Sequence, residues 1–171
     1  MRKNALRTKK ITFLALFASL ALLLSYVEML LPPIFTTVPG IKMGLPNIVI
    51  LLILYRFGIK EAAIISFVRI LLVTLTVSPR IDYLWYSLAG AVLSLAIMAI
   101  LKKLDFLSTV GVSVAGAIMH NVGQMIVAVL LLQTSEIGYY MIVLSITGTI
   151  AGIFIGLCGA LMHKRLEKIK M

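Results

Sequence analysis

Apolar residues run through this chain in six long segments, each cut off by a short polar or charged cluster. The segments lie at about Ile11 to Leu31, Ile41 or Leu45 to Phe57, Lys60 to Val77, Tyr83 to Leu101, Ser108 to Gln133 and Ile137 to Met162. Most approach the roughly 20 residues that a membrane-spanning helix needs. The pattern predicts an all-α integral membrane protein, a six-transmembrane-helix bundle forming a single domain over residues 1–171. A basic N-terminus (1–10) and a basic tail (163–171) flank it. Gly58 breaks the chain between the second and third segments, and Ser78-Pro79 ends the third.

The second segment is short, and the stretch that leads into it is unusual. Val38-Pro39-Gly40-Ile41-Lys42-Met43-Gly44-Leu45-Pro46-Asn47 holds two prolines and two glycines in ten residues. Pro fixes φ and removes a donor, while Gly permits positive φ, so this stretch is not one continuous helix. Irregular backbone exposed to lipid is forbidden. The stretch therefore lies at the membrane surface, or is buried in protein over a polar cavity and completes the short crossing.

Composition agrees with the pattern. The chain is 61% hydrophobic and only 13% charged, with a mean hydropathy of +1.11. A soluble domain is about half apolar and about a quarter charged. A net charge of +10 raises the question of nucleic acid, but the cations cluster at segment ends, and no zinc-finger or RNA-binding aromatic pattern is present. Arg2, Lys3, Arg7, Lys9, Lys10, Arg56, Lys60, Lys102, Lys103, Lys164, Arg165, Lys168 and Lys170 fall on one side of a six-span topology. Only Lys42 and Arg80 fall on the other. The positive-inside rule then predicts a multi-pass cell-membrane protein with both termini cytoplasmic. Tyr83, Trp85, Tyr86, Tyr139 and Tyr140 are expected in an aromatic belt at the outer interface. The start resembles a signal peptide, with a small-x-small spacing at Ser19-Leu20-Ala21. The apolar run continues through Leu24 without a polar cleavage region, so an uncleaved first span is expected.

Candidate chemistry comes from polar residues inside the apolar segments. Arg69 is nine residues beyond Lys60, about 13 Å into the bilayer at ~1.5 Å per residue. A guanidinium does not lose its charge, so it needs a carboxylate, carbonyls, water or a ligand beside it. His120 and Gln124 stand at i and i+4 on the fifth segment, with Asn121 beside them. By the same count His120 lies about 18 Å up from Ser108 and Gln124 about 24 Å. Glu28 lies near the outer end of the first segment, and Asn47 opens the second. Counting residues separates Glu28 from Arg69 by roughly 10 Å in depth, which strains a direct bridge. These residues, with Lys42, outline a candidate site for an anionic small molecule: Lys42, Asn47, Arg69, His120, Asn121 and Gln124. Each also has the plainer role of bonding helices together.

Small residues point to packing. Gly148, Gly152, Gly156 and Ala160 recur every four residues on the sixth segment, a ridge on which another helix of the chain can lie closely. Ala15, Ala18, Ser19, Ala21 and Ser25 line faces of the first.

Several activities are excluded by what is missing. No G-x-x-x-x-G-K-[ST] is present for nucleotide hydrolysis. The two aspartates, Asp82 and Asp105, fall on opposite sides of the expected topology and share no magnesium ion. The single cysteine, Cys158, forms no intrachain disulfide, and no His/Cys cluster suggests zinc. No metal or cofactor is expected, and the chain reads as a binding or transport subunit rather than an enzyme.

Pro39 to Val49, Lys60-Glu61-Ala62 with Arg69-Ile70-Leu71, Tyr86 to Gly90, Val110 to Ser113, His120 to Gln124 and the Gly148, Gly152, Gly156 ladder occur in this order. With them the chain resembles the Gx transporter family, also labelled heptaprenyl diphosphate synthase component I. That family is similar to the substrate-binding S components of energy-coupling-factor transporters. The resemblance covers roughly residues 10 to 163 and departs at Pro46, where a small residue is more usual. It implies an S-component-like fold with an outward-opening pocket lidded by the first loop. It also implies a partner-docking face at Ala15, Ala18 and Ser19 for a transmembrane coupling subunit, with ATPases as separate chains. The second label implies an alternative, a noncatalytic membrane component of prenyl diphosphate or isoprenoid quinone synthesis. Prenyl transfer itself needs paired aspartate-rich motifs to hold magnesium, and none is present. A membrane component of quinone- or flavin-linked electron transfer is a third possibility, with no heme or metal ligand set to support it.

Overall fold

The computed structural model describes residues 2–30, 44–76, 81–133 and 139–167. All regular structure among them is helical: α1 (Arg2–Leu30), α2 (Asn47–Arg56), α3 (Ile59–Thr76), α4 (Ile81–Leu104), α5 (Thr109–Leu132) and α6 (Tyr140–Glu167). The six-helix expectation holds. Four stretches are long and apolar enough to cross a membrane: Leu6–Leu30, Tyr83–Leu104, Thr109–Leu132 and Met141–Arg165. The other two helices differ for definite reasons. α3 carries Lys60, Glu61 and Arg69 within its 18 residues. α2 has only 10 residues, about 15 Å of helix, which is half the ~30 Å of a bilayer core.

Large apolar side chains cover the outside of the bundle, among them Leu16, Leu23, Leu75, Ile142, Phe154 and Leu161. A water-facing surface does not carry apolar area on this scale, whereas lipid requires it.

α2 is apolar on every side because it is enclosed on every side. Val49 to Leu54 are all buried against α1, α3 and α6. Both of its ends are held by other helices. At the C-terminal end Lys102 Nζ of α4 donates to the Leu54 carbonyl at 2.7 Å and lies 5.0 Å from the centre of the Tyr55 ring. Gly58, at φ +108°, then turns the chain into α3. Lys10 of α1 pairs with Glu61 of α3 at 2.5 Å near the same end of the bundle.

α5 runs through the middle of the other half, between α4 and α6. Ser108 starts it, with Oγ accepting the Gly111 N–H at 3.2 Å. Glycines set the spacing on both sides. A Cβ on Gly123 would lie 2.5 Å from the Ala89 carbonyl oxygen of α4. Cβ atoms on Gly152 and Gly156 of α6 would lie 2.7 Å from the Cα atoms of Val114 and Val110. The glycine ridge of α6 is thus used inside the molecule. α3 meets α4 and α2 meets α6, so α2 to α6 form a ring of packing neighbours, with α1 lying over α2 and α3.

The aromatic residues do not form a uniform belt. Trp85 and Tyr139 are exposed, but Tyr86 is buried with Met125, Ala128 and Leu144, and Tyr83 turns inward. A tyrosine near a helix end has both an apolar ring and a polar tip, and here packing claimed the ring.

Candidate functional site

One face of α1 is buried along Phe17, Ala21, Ser25 and Glu28, a helical spacing of four, four and three. Its outer two members, Ser25 and Glu28, open onto a polar cavity. α3 contributes Arg69, Ile70, Val73 and Thr74, α4 contributes Tyr83 and Ser87, and α5 contributes His120 and Gln124; Gly44 closes the cavity where the chain enters α2. The space left at the centre is about 20 Å³, room for about one water molecule.

Arg69 is 7% exposed. Its Nη1 donates to Ser25 Oγ at 3.3 Å, and Ser25 Oγ donates in turn to the Ala21 carbonyl at 2.8 Å. Arg69 Nε finds no hydrogen-bond partner among the described residues. Glu28 lines the same cavity, and its charge acts on Arg69. The count along the sequence set Glu28 about 10 Å from the level of Arg69, and the two side chains nonetheless line one cavity. Rise per residue neglects helix tilt and the reach of two long side chains.

Glu28 also holds the start of α2. Its Oε1 accepts the backbone N–H of Gly44 and, at 3.1 Å, that of Leu45. Gly44 has φ +82°, a conformation that favours glycine, and a Cβ there would lie 2.8 Å from Asn47 Nδ2. The turn Gly44–Pro46 then delivers Asn47 as the first residue of α2. The described end of the proline- and glycine-rich stretch is therefore buried over a polar cavity, one of its two expected placements.

The expected site residues divide. Arg69, His120 and Gln124 come together on the cavity. Asn47 is buried beside it under Gly44. Room for His120 comes from Gly90, whose missing Cβ would lie 2.9 Å from the imidazole. Asn121 points the other way, and its Nδ2 donates to the Leu144 carbonyl of α6 at 2.7 Å. Lys42 lies outside the described residues. Gln124 is the most enclosed of the group at 1% exposure, and neither its Nε2 nor its Oε1 has a partner among the described residues. Sequence reasoning did not assign Ser25, Thr74, Tyr83 or Ser87 to the site. The signal for Ser25 was available in its place on the Phe17, Ala21, Glu28 face.

Elsewhere, Ala15 and Ser19 are exposed on α1, whereas Ala18 is half buried against the core. An apolar groove of about 420 Å³ opens between α1 and α6 with α2 beneath, lined by Leu24, Leu45, Ile48, Ile150 and Phe154 among others. Among the described residues, no three His, Cys, Asp or Glu side chains are grouped to hold a metal ion.

The sequence pattern of the family described as heptaprenyl diphosphate synthase component I matches residues 17–162. The chain belongs to that family. The match spans every element of the cavity, from Ser25 on α1 to Gln124 on α5. The family description names a component rather than a catalytic subunit. No curated protein and no solved structure matches the chain.

Proposed function

We propose that this chain is a binding subunit of the cell membrane that takes up an anionic small molecule, in the manner of the S components of energy-coupling-factor transporters. The observation that carries this reading is the cavity under Gly44. It joins a buried guanidinium to a Gln124 amide that has no hydrogen-bond partner among the described residues. A network made only to bond helices together gives each buried amide at least one bond, as Asn121 has through Nδ2, because an unsatisfied buried group costs about 1–3 kcal/mol. A binding site keeps such groups for its ligand. With both termini cytoplasmic, α2 reaches only to about mid-membrane, and the cavity lies at that depth beneath the outer half. Discontinuous helices that start at the midplane serve the same purpose in secondary transporters. Lys42 belongs to the proposed site as a residue of the stretch leading to Gly44. The exposed Ala15 and Ser19 face of α1 is the proposed docking surface for a coupling subunit, with ATPase subunits as separate chains.

The test is Arg69→Met in the purified chain, titrated after a thermal-shift screen of anionic vitamins and prenyl phosphates. The variant is expected to fold and to lose affinity by about 1.5–3 kcal/mol, the range for a hydrogen bond to a charged group. Unchanged affinity in folded variant sinks the assignment.

A second reading is supported by the family description and by the apolar groove between α1 and α6. In it the chain is a noncatalytic membrane partner of a prenyl diphosphate synthase, with the groove holding a prenyl chain. Co-purification separates the two, since one reading expects a membrane coupling subunit and the other a soluble prenyl synthase.

A further inference from the structure

The start of α2 is an anion site that already has an occupant. The N–H groups of Asn47, Ile48 and Val49 in its first turn bond to the carbonyls of Gly44, Leu45 and Pro46, and the positive end of the helix dipole attracts negative charge to the N–H groups just ahead of it. α2 has ten residues, and the N–H groups of Gly44 and Leu45 just ahead of it both donate to the Glu28 carboxylate. Arg69 brings a full positive charge to the same cavity. Two N–H groups and a guanidinium suit a planar carboxylate well.

A second observation says that the arrangement is not finished. Arg69 Nε and both amide atoms of Gln124 line or adjoin this cavity, are buried, and have no partner among the described residues. With the Glu28 carboxylate in place, about 20 Å³ remains at the centre, room for about one water molecule. Something must leave before anything larger enters, and the group best matched to an incoming carboxylate is the carboxylate already there.

We propose that Gly44 N–H, Leu45 N–H and Arg69 form a carboxylate subsite held by the chain's own Glu28, and that a ligand carboxylate enters by displacing it. This rests on the cavity being a ligand site. Displacement frees the start of α2 from α1, so ligand entry and movement at the Gly44 turn become one event. The Gln124 amide, with one donor group and one acceptor, then pairs with polar atoms of the ligand beyond its carboxylate.

The test needs no knowledge of the natural ligand, because formate is a carboxylate small enough for the vacated space. Glu28→Ala in the full chain in detergent is titrated with sodium formate at constant ionic strength against sodium chloride, with thermal unfolding as the readout. Formate is expected to raise the midpoint of Glu28→Ala saturably and beyond chloride, and adding Arg69→Met is expected to abolish the response. Should Glu28→Ala not fold, Glu28→Gln keeps an acceptor for the two N–H groups and serves instead. Its formate half-saturation is expected at least tenfold below that of wild type, which must expel a charged competitor. Equal responses to formate and chloride in whichever variant folds, or half-saturation in Glu28→Gln no lower than in wild type, overturns the subsite. That failure leaves the Arg69→Met ligand titration untouched. Formate rescue combined with Arg69-independent ligand binding overturns displacement by ligand, since Glu28 then serves the fold alone.

Discussion

Lys102 Nζ on α4 lies 2.7 Å from the carbonyl oxygen of Leu54 on α2, in the last turn of that helix. The final carbonyls of a helix lack intrahelical donors and carry the negative end of its dipole. A lysine from a neighbouring helix satisfies both needs and ties the two halves of the ring together. Lys102→Met keeps the aliphatic stem but leaves the Leu54 carbonyl unsatisfied. We predict a loss of about 1–2 kcal/mol in thermal or denaturant unfolding. Lys103→Met is the control, because Lys103 is exposed, and it should be neutral. Equal effects from both would mean that net charge, not the cap, is responsible.

The α4–α5 seam has no room for a methyl group. A Cβ on Gly123 would meet the Ala89 carbonyl oxygen at 2.5 Å and the Gly90 nitrogen at 2.8 Å, and these are backbone atoms that cannot swing aside. Gly→Ala ordinarily favours a helix by about 0.5–1 kcal/mol. At Gly123 overpacking should exceed that gain and leave the chain less stable by about 1–3 kcal/mol. Gly111→Ala meets only the Leu107 side chain, at 3.3 Å, and should be far milder. A Gly123→Ala variant as stable as wild type would show that the seam opens more easily than this packing allows.

The bundle was readable from the sequence because lipid imposes run length and charge placement on every span. The α6 ridge was readable because small residues recur every four positions on one helix. The lining of the cavity was readable in part for the same reason, since His120 and Gln124 share a face by their i, i+4 spacing. Asn121 is rotated by about 100° from His120, and that single step carries it to α6. The contributions of Ser25 and Glu28 were harder to read because they depend on how α1 lies against α3. Depth counted separately along two helices contains neither tilt nor side-chain reach. Tyr83 and Tyr86 illustrate a further gap, because interface residues and core residues draw on the same aromatic side chains.

The charge distribution makes a prediction about orientation. Thirteen of the sixteen Lys and Arg residues fall on one side of a six-span topology, two on the other, and Arg69 within a span. Reporter fusions at Met1 and Met171 should both report the cytoplasm. α2, too short to cross alone, is the element on which this depends, since an odd number of crossings would separate the two ends. Opposite locations for the two reporters would refute the six-span reading and with it the outward placement of the cavity.

Gln124 provides a test that separates stability from function. Both atoms of its amide are buried without a hydrogen-bond partner among the described residues, at 1% exposure. Leaving a buried polar group unsatisfied costs about 1–3 kcal/mol, and replacing it with an apolar group of similar shape removes that cost. Gln124→Leu is therefore expected to stabilise the ligand-free chain, by about 1–2 kcal/mol after some loss from imperfect packing. Asn121→Leu should do the opposite, because it removes the bond from Asn121 Nδ2 to the Leu144 carbonyl, 2.7 Å long, that joins α5 to α6. The two residues are three apart on one helix and chemically alike, so the sign of the change distinguishes an amide kept for binding from one kept for packing. Thermal unfolding of both variants in the same detergent measures it. A destabilised Gln124→Leu variant would mean that the amide already has a partner inside the protein, and the cavity would lose its strongest mark of a ligand site.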